Sequence, residues 1–118
     1  MAWSNSKVFA ATVTDALNNT TAFDANADTF KCALYDNDIT PDNTVASANT
    51  AYNAGQWVIT GNEVTSTGEW DAGGVALTSV TSTFTSTTYT FDAANTASAA
   101  AATITHAYGR LIYADTPP

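Results

Sequence analysis

A chain of 118 residues with 45% hydrophobic and 12% charged residues has the length and composition of one folded domain, which excludes a disordered protein. Its net charge is −8, and its only basic residues are Lys7, Lys31 and Arg110, which are far apart in sequence. Three separated cations are too few for the basic stripe that binds nucleic acid or an anionic membrane. We therefore expect no nucleic acid and no membrane as partner.

The first predicted element is a helix over about residues 5–18. Its apolar positions recur with helical spacing, at Phe9, Val13, Ala16 and Leu17. Ser4 or Ser6 can serve as the N-cap, and Asn18-Asn19 is a plausible stop. The apolar face is narrow, so we expect this helix to pack on a sheet or on a partner. The residues before it lack a basic region followed by an apolar core, which predicts no signal peptide.

After the helix the hydrophobic period changes to two. The segment Thr29–Tyr35 predicts a strand with Phe30, Cys32 and Leu34 on one face. Turn-forming residues follow at 36–43. Residues 44–55 are small and polar apart from Tyr52, which predicts a long loop with room for a short helical turn. Such a loop in a small domain is usually functional or part of an interface.

The remainder of the chain predicts short strands separated by turns. The predicted strands are 56–60, 62–66, a strand beginning at 75–77, 80–92, 103–106 and 108–114. The apolar registers before and after Ser86-Thr87 disagree, which a twist, a bulge or a hairpin at that point would reconcile. We predict a mainly β fold, an antiparallel β-sandwich or open barrel with one N-terminal α-helix. We expect a single structural domain over residues 1–118, with the β part at about 29–115.

A histidine general base would have to be His106, and Cys32 could pair with it as a nucleophile, since the chain has one histidine and one cysteine. No serine lies in a Gly-x-Ser-x-Gly turn. Cys32 lies in an apolar strand, which favours a buried hydrophobic role. The sequence therefore predicts no catalytic residue and no cofactor.

Asp36, Asp38 and Asp42 could offer oxygen ligands to a calcium ion. A calcium-binding EF-hand loop needs a ligand at its fifth position, glycine at its sixth and glutamate at its twelfth. Those positions hold Thr40, Pro41 and Ser47. Because aspartate also favours turns, we favour turn formation over a metal site, and a weak surface calcium ion stays open.

A second acidic group surrounds the tryptophans. Glu63, Glu69 and Asp71 beside Trp57 and Trp70 could form a glycosidase carboxylate pair or a carbohydrate-binding platform. Tryptophans of this kind more often anchor a core or an interface. We favour that interpretation.

Several segments, taken in order, form a recurrent pattern. They are Thr29–Tyr35, Ile39–Asp42, Tyr52–Trp57, Asn62–Val64, Trp70–Leu77 and Leu111–Thr116. Together they resemble small head-decoration-like structural proteins encoded among the virion genes of tailed bacteriophages, particularly those of actinobacterial hosts. The similarity covers most of the chain from Phe30 onward.

This resemblance implies a virion component without fixing its position. A charge of −8 would be repelled by packed DNA, which favours the outer surface of the capsid. The expected function is capsid decoration, in which a homo-oligomer, most plausibly a trimer, binds the major capsid protein lattice and stabilises the head. The residues expected at the capsid or subunit interface are Trp3, Phe9, Val13, Tyr52, Trp57 and Trp70.

Two other functions stay open at this point. A tail fibre or baseplate module could bind host-surface carbohydrate through Tyr52, Trp57 and Trp70. A small hydrolase could use Glu63 or Asp71, although the sequence identifies no substrate.

Overall fold

We describe the protein from a computed structural model, which defines residues 5–19, 24–58 and 60–115. This part of the chain is mainly strand-based, with antiparallel sheets and a single N-terminal helix, which confirms the predicted fold class. The regular elements are α1 (Ala10–Leu17), β1 (Phe30–Tyr35), β2 (Glu63–Val64), β3 (Val75–Ala76), β4 (Thr81–Thr85), β5 (Thr88–Asp92) and β6 (Gly109–Ala114). Two short 3₁₀ turns, Ser47–Asn49 and Gly55–Trp57, lie between β1 and β2.

Helix α1 begins later than the sequence predicts. Phe9 occupies the N-cap position in an extended conformation, and its side chain makes no capping hydrogen bond. Ser6 is therefore not the cap, and Ser4 lies outside the described residues. The predicted stop is confirmed, because the helix ends at Leu17 and Asn19 adopts a left-handed conformation with φ 51°.

Strand β1 is the centre of the larger sheet. Strand β6 pairs with it antiparallel along its full length, from Phe30 opposite Ala114 to Tyr35 opposite Gly109. On the other side, β3 pairs with the first half of β1 and β2 pairs with the second half. Strand β6 is thus an edge of this sheet as far as the described residues define it.

The main hydrophobic core lies on one face of β1. Its buried members are Ala33, Tyr35, Ile39, Trp57 and Leu111, with Phe9, Tyr52 and Tyr113 packed against them. Tyr35 is fully buried, and its hydroxyl donates a hydrogen bond of 3.0 Å to the Trp57 carbonyl oxygen. The core therefore joins the sheet to the loop that ends at Trp57.

The hairpin formed by β4 and β5 contacts the opposite face of β1 at Phe30. Phe30 packs edge-on against Phe91 of β5, with ring centroids 5.1 Å apart. The hairpin turns at Ser86-Thr87, where Ser86 has φ 57°. Of the twist, bulge or hairpin that the sequence allowed at this point, the structure therefore has the hairpin. Phe30 and Cys32 are buried on this face, and Ala33 and Tyr35 are buried on the other, which is compatible with a small β-sandwich-like fold.

Two predicted strands are wrong. The segment 56–60 contains the Gly55–Trp57 turn instead, because the Trp57 carbonyl oxygen accepts hydrogen bonds from Tyr35 and from the Asn53 amide and is unavailable to a ladder. The segment 103–106 is irregular: the Thr103 amide donates to the Ser66 hydroxyl, and His106 has φ 62°, outside the β region.

Candidate interaction surfaces

A connected cluster of hydrogen bonds surrounds Glu63. One carboxylate oxygen accepts a 2.7 Å hydrogen bond from the Tyr52 hydroxyl, and the other accepts a 2.8 Å bond from the Gly73 amide. The Tyr113 hydroxyl donates to the Gly73 carbonyl oxygen at 2.7 Å, and its ring stacks on that of Tyr52. Both Glu63 oxygens are therefore engaged in joining the long loop and the 71–74 turn to the sheet.

Burial determines how the tyrosines of this cluster ionise. It raises the pKa of Tyr52 and of Tyr35 well above the usual value of 10, and the pKa of Tyr113 to about 12. The Glu63 charge adds to the increase in all three. The folded chain thus holds these phenol protons more tightly than the unfolded chain does.

Stability is accordingly expected to fall at alkaline pH. Below pH 10 both states keep these protons, and the contribution is fully present; above pH 10 the unfolded chain releases them first, so the unfolding free energy decreases until the folded tyrosines also ionise. Urea unfolding at pH values on either side of 10 measures the decrease. Tyr52→Phe should make it shallower, and an unfolding free energy independent of pH in this range would contradict the prediction.

The other two candidate carboxylates, Glu69 and Asp71, accept hydrogen bonds within their own loop. Glu69 accepts a 2.9 Å hydrogen bond from the Ser66 hydroxyl, and Asp71 accepts one of 2.7 Å from the Gly68 amide. Glu63, Glu69 and Asp71 are thus engaged with the backbone or with side chains of neighbouring loops. Their contacts explain local structure and require no substrate.

The acidic turn after β1 is built on aspartate–backbone hydrogen bonds. Asp36 accepts the Asp38 amide at 2.9 Å, and Asp42 accepts both the amide and the hydroxyl of Thr44 at 2.8 and 2.6 Å. The Thr44 hydrogen bonds lower the pKa of Asp42 below its ordinary value. Within residues 5–19, 24–58 and 60–115, no group of three or more His, Cys, Asp or Glu side chains is placed to hold a metal ion.

Cys32 and His106 lie in different surroundings. Cys32 is buried in β1 opposite Val75 and Ile112, and burial raises the pKa of its thiol. A raised pKa keeps the thiol protonated, which disfavours nucleophilic attack. His106 lines a shallow depression next to Asp36, Asn37, Asp38 and Tyr108.

The six residues predicted at an interface are placed very differently. Trp57 and Trp70 are only 3% and 7% exposed, so neither indole presents a face to a partner or a sugar. Phe9 and Tyr52 are half-buried, Phe9 edge-on to Trp57 and Tyr52 stacked on Tyr113. Val13 is exposed, and Trp3 lies outside the described residues. Of the described set, the structure leaves Val13 as the side chain most available to a partner.

Helix α1 carries an apolar surface that the described chain leaves exposed. The helix patch consists of Ala10, Val13 and Leu17, whose spacing puts them on one face; Val13 is 49% exposed and Leu17 is 82% exposed. The helix is attached on its other side, where the Asp15 carboxylate accepts a 2.6 Å hydrogen bond from Ser47. No residue of this helix is buried.

The hairpin carries a second apolar surface that the sequence did not identify. Phe84 and Tyr89 lie directly opposite each other across the two strands and are 71% and 57% exposed. They share a face with Phe91, which packs on Phe30, but they are themselves left exposed. We call Phe84 and Tyr89 the hairpin patch. The opposite face of the hairpin carries Thr81, Thr83, Thr85, Thr88 and Thr90, all exposed.

The edge strand β6 forms a third surface. Ile112 on this strand and Tyr108 immediately before it are 41% and 47% exposed, and Arg110, one of the three basic residues of the chain, lies between them in sequence. The alternation of β6 places Leu111 and Tyr113 on the core face and Arg110 and Ile112 on the other.

Comparison with known protein families, with curated proteins and with solved structures gives no match for this chain. The described residues contain no helix that is both long and apolar enough to cross a membrane. A functional proposal therefore depends on the chain's own surfaces and on the resemblance of its sequence segments.

Proposed function

We propose that this protein is a head-decoration protein of a tailed bacteriophage, which binds the outer surface of the major capsid protein lattice and stabilises the head. The observation that best supports this function is the distribution of exposed apolar side chains. Leu17, Phe84 and Ile112 lie on the helix, the hairpin and the edge strand, three separate parts of one small chain. Several apolar surfaces on one subunit suit a protein held simultaneously by a shell and by its neighbours.

The charge of the chain supports the outer surface over the interior. A net charge of −8 would be repelled by the packed DNA that an inner-surface protein faces. With 12% charged residues, the chain also has few charges to desolvate when its surface is covered by other proteins. Under this proposal, the partners are the major capsid protein and further copies of this chain in a trimer.

The burial of the tryptophans weighs against the carbohydrate-binding alternative. A sugar platform needs an exposed aromatic face, whereas Trp57 and Trp70 are among the buried core residues. Similarly, the engagement of Glu63 by Tyr52 and Gly73 weighs against a free catalytic carboxylate. Decoration needs neither feature.

Binding to isolated heads tests the proposal. Purified protein is added to heads that lack it and, separately, to tails from the same phage, and the bound protein is measured after sedimentation. We expect saturable binding to heads in a fixed ratio to the major capsid protein, and little binding to tails. Binding to tails alone would replace decoration by a tail function, and binding to neither would refute both.

A deletion variant tests whether the N-terminal segment contacts the capsid. Deletion of residues 1–7, which removes the predicted contact residue Trp3, should weaken head binding while leaving the sheet intact. Undiminished binding would remove the N-terminal segment from the proposed interface. Circular dichroism of the deletion variant provides the control for folding.

A further inference from the structure

The backbone groups at the free edge of β6 follow from its pairing with β1. The Asp115 amide donates a 2.8 Å hydrogen bond to the Thr29 carbonyl oxygen. Alternate residues of an antiparallel strand bond to the same neighbour, so the odd-numbered residues of β6 bond to β1. The even-numbered residues, Arg110, Ile112 and Ala114, therefore direct their N–H and C=O groups away from β1.

This edge has the geometry that a further strand needs. No other strand of the described chain pairs with β6 on this side. The six residues of β6 keep an unbroken register with β1, without a proline or a bulge. Proteins usually shorten, bend or cover such an edge, because its unpaired N–H and C=O groups can pair with another chain. Nothing in the backbone of β6 opposes that pairing.

The edge lies in a part of the sequence that lacks negative charge. Residues 93–114 contain no aspartate or glutamate, although the whole chain has a net charge of −8. Among the described residues, the one ion pair joins Lys31 to Asp115 at 3.0 Å, so the exposed Arg110 guanidinium has no carboxylate partner. Charge therefore favours a strand that places a carboxylate opposite Arg110, and it disfavours a strand with a cation there.

Apolar side chains of an added strand also have a place beside this edge. A shallow depression opens at the start of β6, and its lining consists of Leu34, Ala107, Tyr108, Gly109 and Arg110. Leu34 is half-buried, and Ile112 on the same face of the sheet is exposed. Because directly opposite side chains of paired strands contact each other, an apolar residue opposite Ile112 would cover it. The segment that fits best thus combines an acidic residue with apolar residues at alternate positions.

We propose that β6 accepts an extended acidic segment of a partner protein as an added antiparallel strand. The segment forms backbone hydrogen bonds with Arg110, Ile112 and Ala114, and one of its carboxylates pairs with the Arg110 guanidinium. The antiparallel direction is that of each strand pair that the structure describes in this sheet. This inference goes beyond the proposed function, because the site would bind its segment wherever the protein is located.

Nuclear magnetic resonance titration with synthetic peptides tests the added strand. The probe is a short peptide with blocked termini, which has threonine at every second position and one glutamate between valines at the others. We expect the peptide to shift the amide signals of Arg110, Ile112 and Ala114 and to slow their hydrogen exchange. A single short strand should bind weakly, so the peptide is used in large excess.

Two N-methylated forms of the peptide provide the matched control for strand pairing. In an antiparallel pair, methyl groups on the valine and glutamate amides block the hydrogen bonds to β6, whereas those on the threonine amides lie at the far edge of the peptide. We expect the first form to lose binding and the second to retain it. Equal binding of both forms would overturn strand addition, and loss from the second form alone would overturn the antiparallel direction.

Charge reversal tests the class of segment. Replacing the peptide glutamate by lysine should weaken binding about fivefold, and Arg110→Glu in the protein should reverse this preference. Arg110 is exposed, so the variant should keep the unfolding midpoint of the native chain. Equal affinity of the native protein for both peptides would overturn an acidic segment. Slower exchange of the same amides at raised protein concentration, without peptide, would overturn a separate partner in favour of a second copy.

These titrations use no phage head, so their outcome is distinct from that of the proposed function. If the peptide binds and heads do not, the edge site stands and decoration is refuted. If heads bind the protein and the peptide does not, decoration stands and the edge site is refuted.

Discussion

Gly74→Ala is expected to destabilise the protein by about 4 kcal/mol, a large fraction of the stability of a typical small domain. Gly74 lies immediately before β3 and has φ +78°, and a Cβ atom at this position would overlap the carbonyl group of Cys32 in β1. The clash is with backbone in the centre of the sheet, so it cannot be relieved by a side-chain rotation. The measurement is the free energy of unfolding in urea.

The control for this substitution is Gly68→Ala. Gly68 has a similar backbone angle, φ +84°, but no atom lies within 4 Å of the position that its Cβ would take. Its substitution should therefore cost only the left-handed conformation, about 1–2 kcal/mol. Equal effects of the two substitutions would show that backbone angle alone matters and that the close approach of Gly74 to β1 is incorrect.

Trp57→Ala is expected to cost about 3–5 kcal/mol, the usual range for removing a large buried aromatic side chain. The indole is 3% exposed and packs edge-on against Tyr35 and Phe9. Removing it opens a cavity in the main core and takes away the ring on which Phe9 rests, so the helix signal in circular dichroism should also decrease. Chemical unfolding and circular dichroism measure the two effects.

Val13→Ala separates the core from the exposed surface. Val13 is half-exposed on the helix patch, so its truncation should change the free energy of unfolding by less than about 0.5 kcal/mol at low protein concentration. A large loss for Val13→Ala, or a small one for Trp57→Ala, would reverse the assignment of these two residues to surface and core.

The strands with the strongest β-forming composition could be predicted from the sequence. Phe30–Tyr35 alternates and forms one strand, and the Val80–Asp92 segment consists almost entirely of β-forming residues and contains the two strands of the hairpin. Thr103–His106 has similar composition yet is irregular, because its backbone bonds to the Ser66 side chain and turns at His106. Local composition does not report such a long-range side-chain partner.

The candidate surface was harder to predict than the fold. The sequence pointed to Trp57 and Trp70 as contact residues, since exposed tryptophans often anchor interfaces, but a 3₁₀ turn carries Trp57 into the core. Phe84 and Tyr89 appeared to be ordinary strand residues. Their exposure depends on which part of the hairpin packs on β1, which residue types and periodicity do not determine.

The proposal that this chain decorates a capsid is tested most directly by its copy number in purified virions. Quantitative mass spectrometry measures this number relative to the major capsid protein. A fixed ratio near one copy per capsid subunit is the result expected for a protein distributed over the whole shell. A handful of copies per virion would contradict shell-wide decoration and favour a tail component, and absence from virions would contradict both.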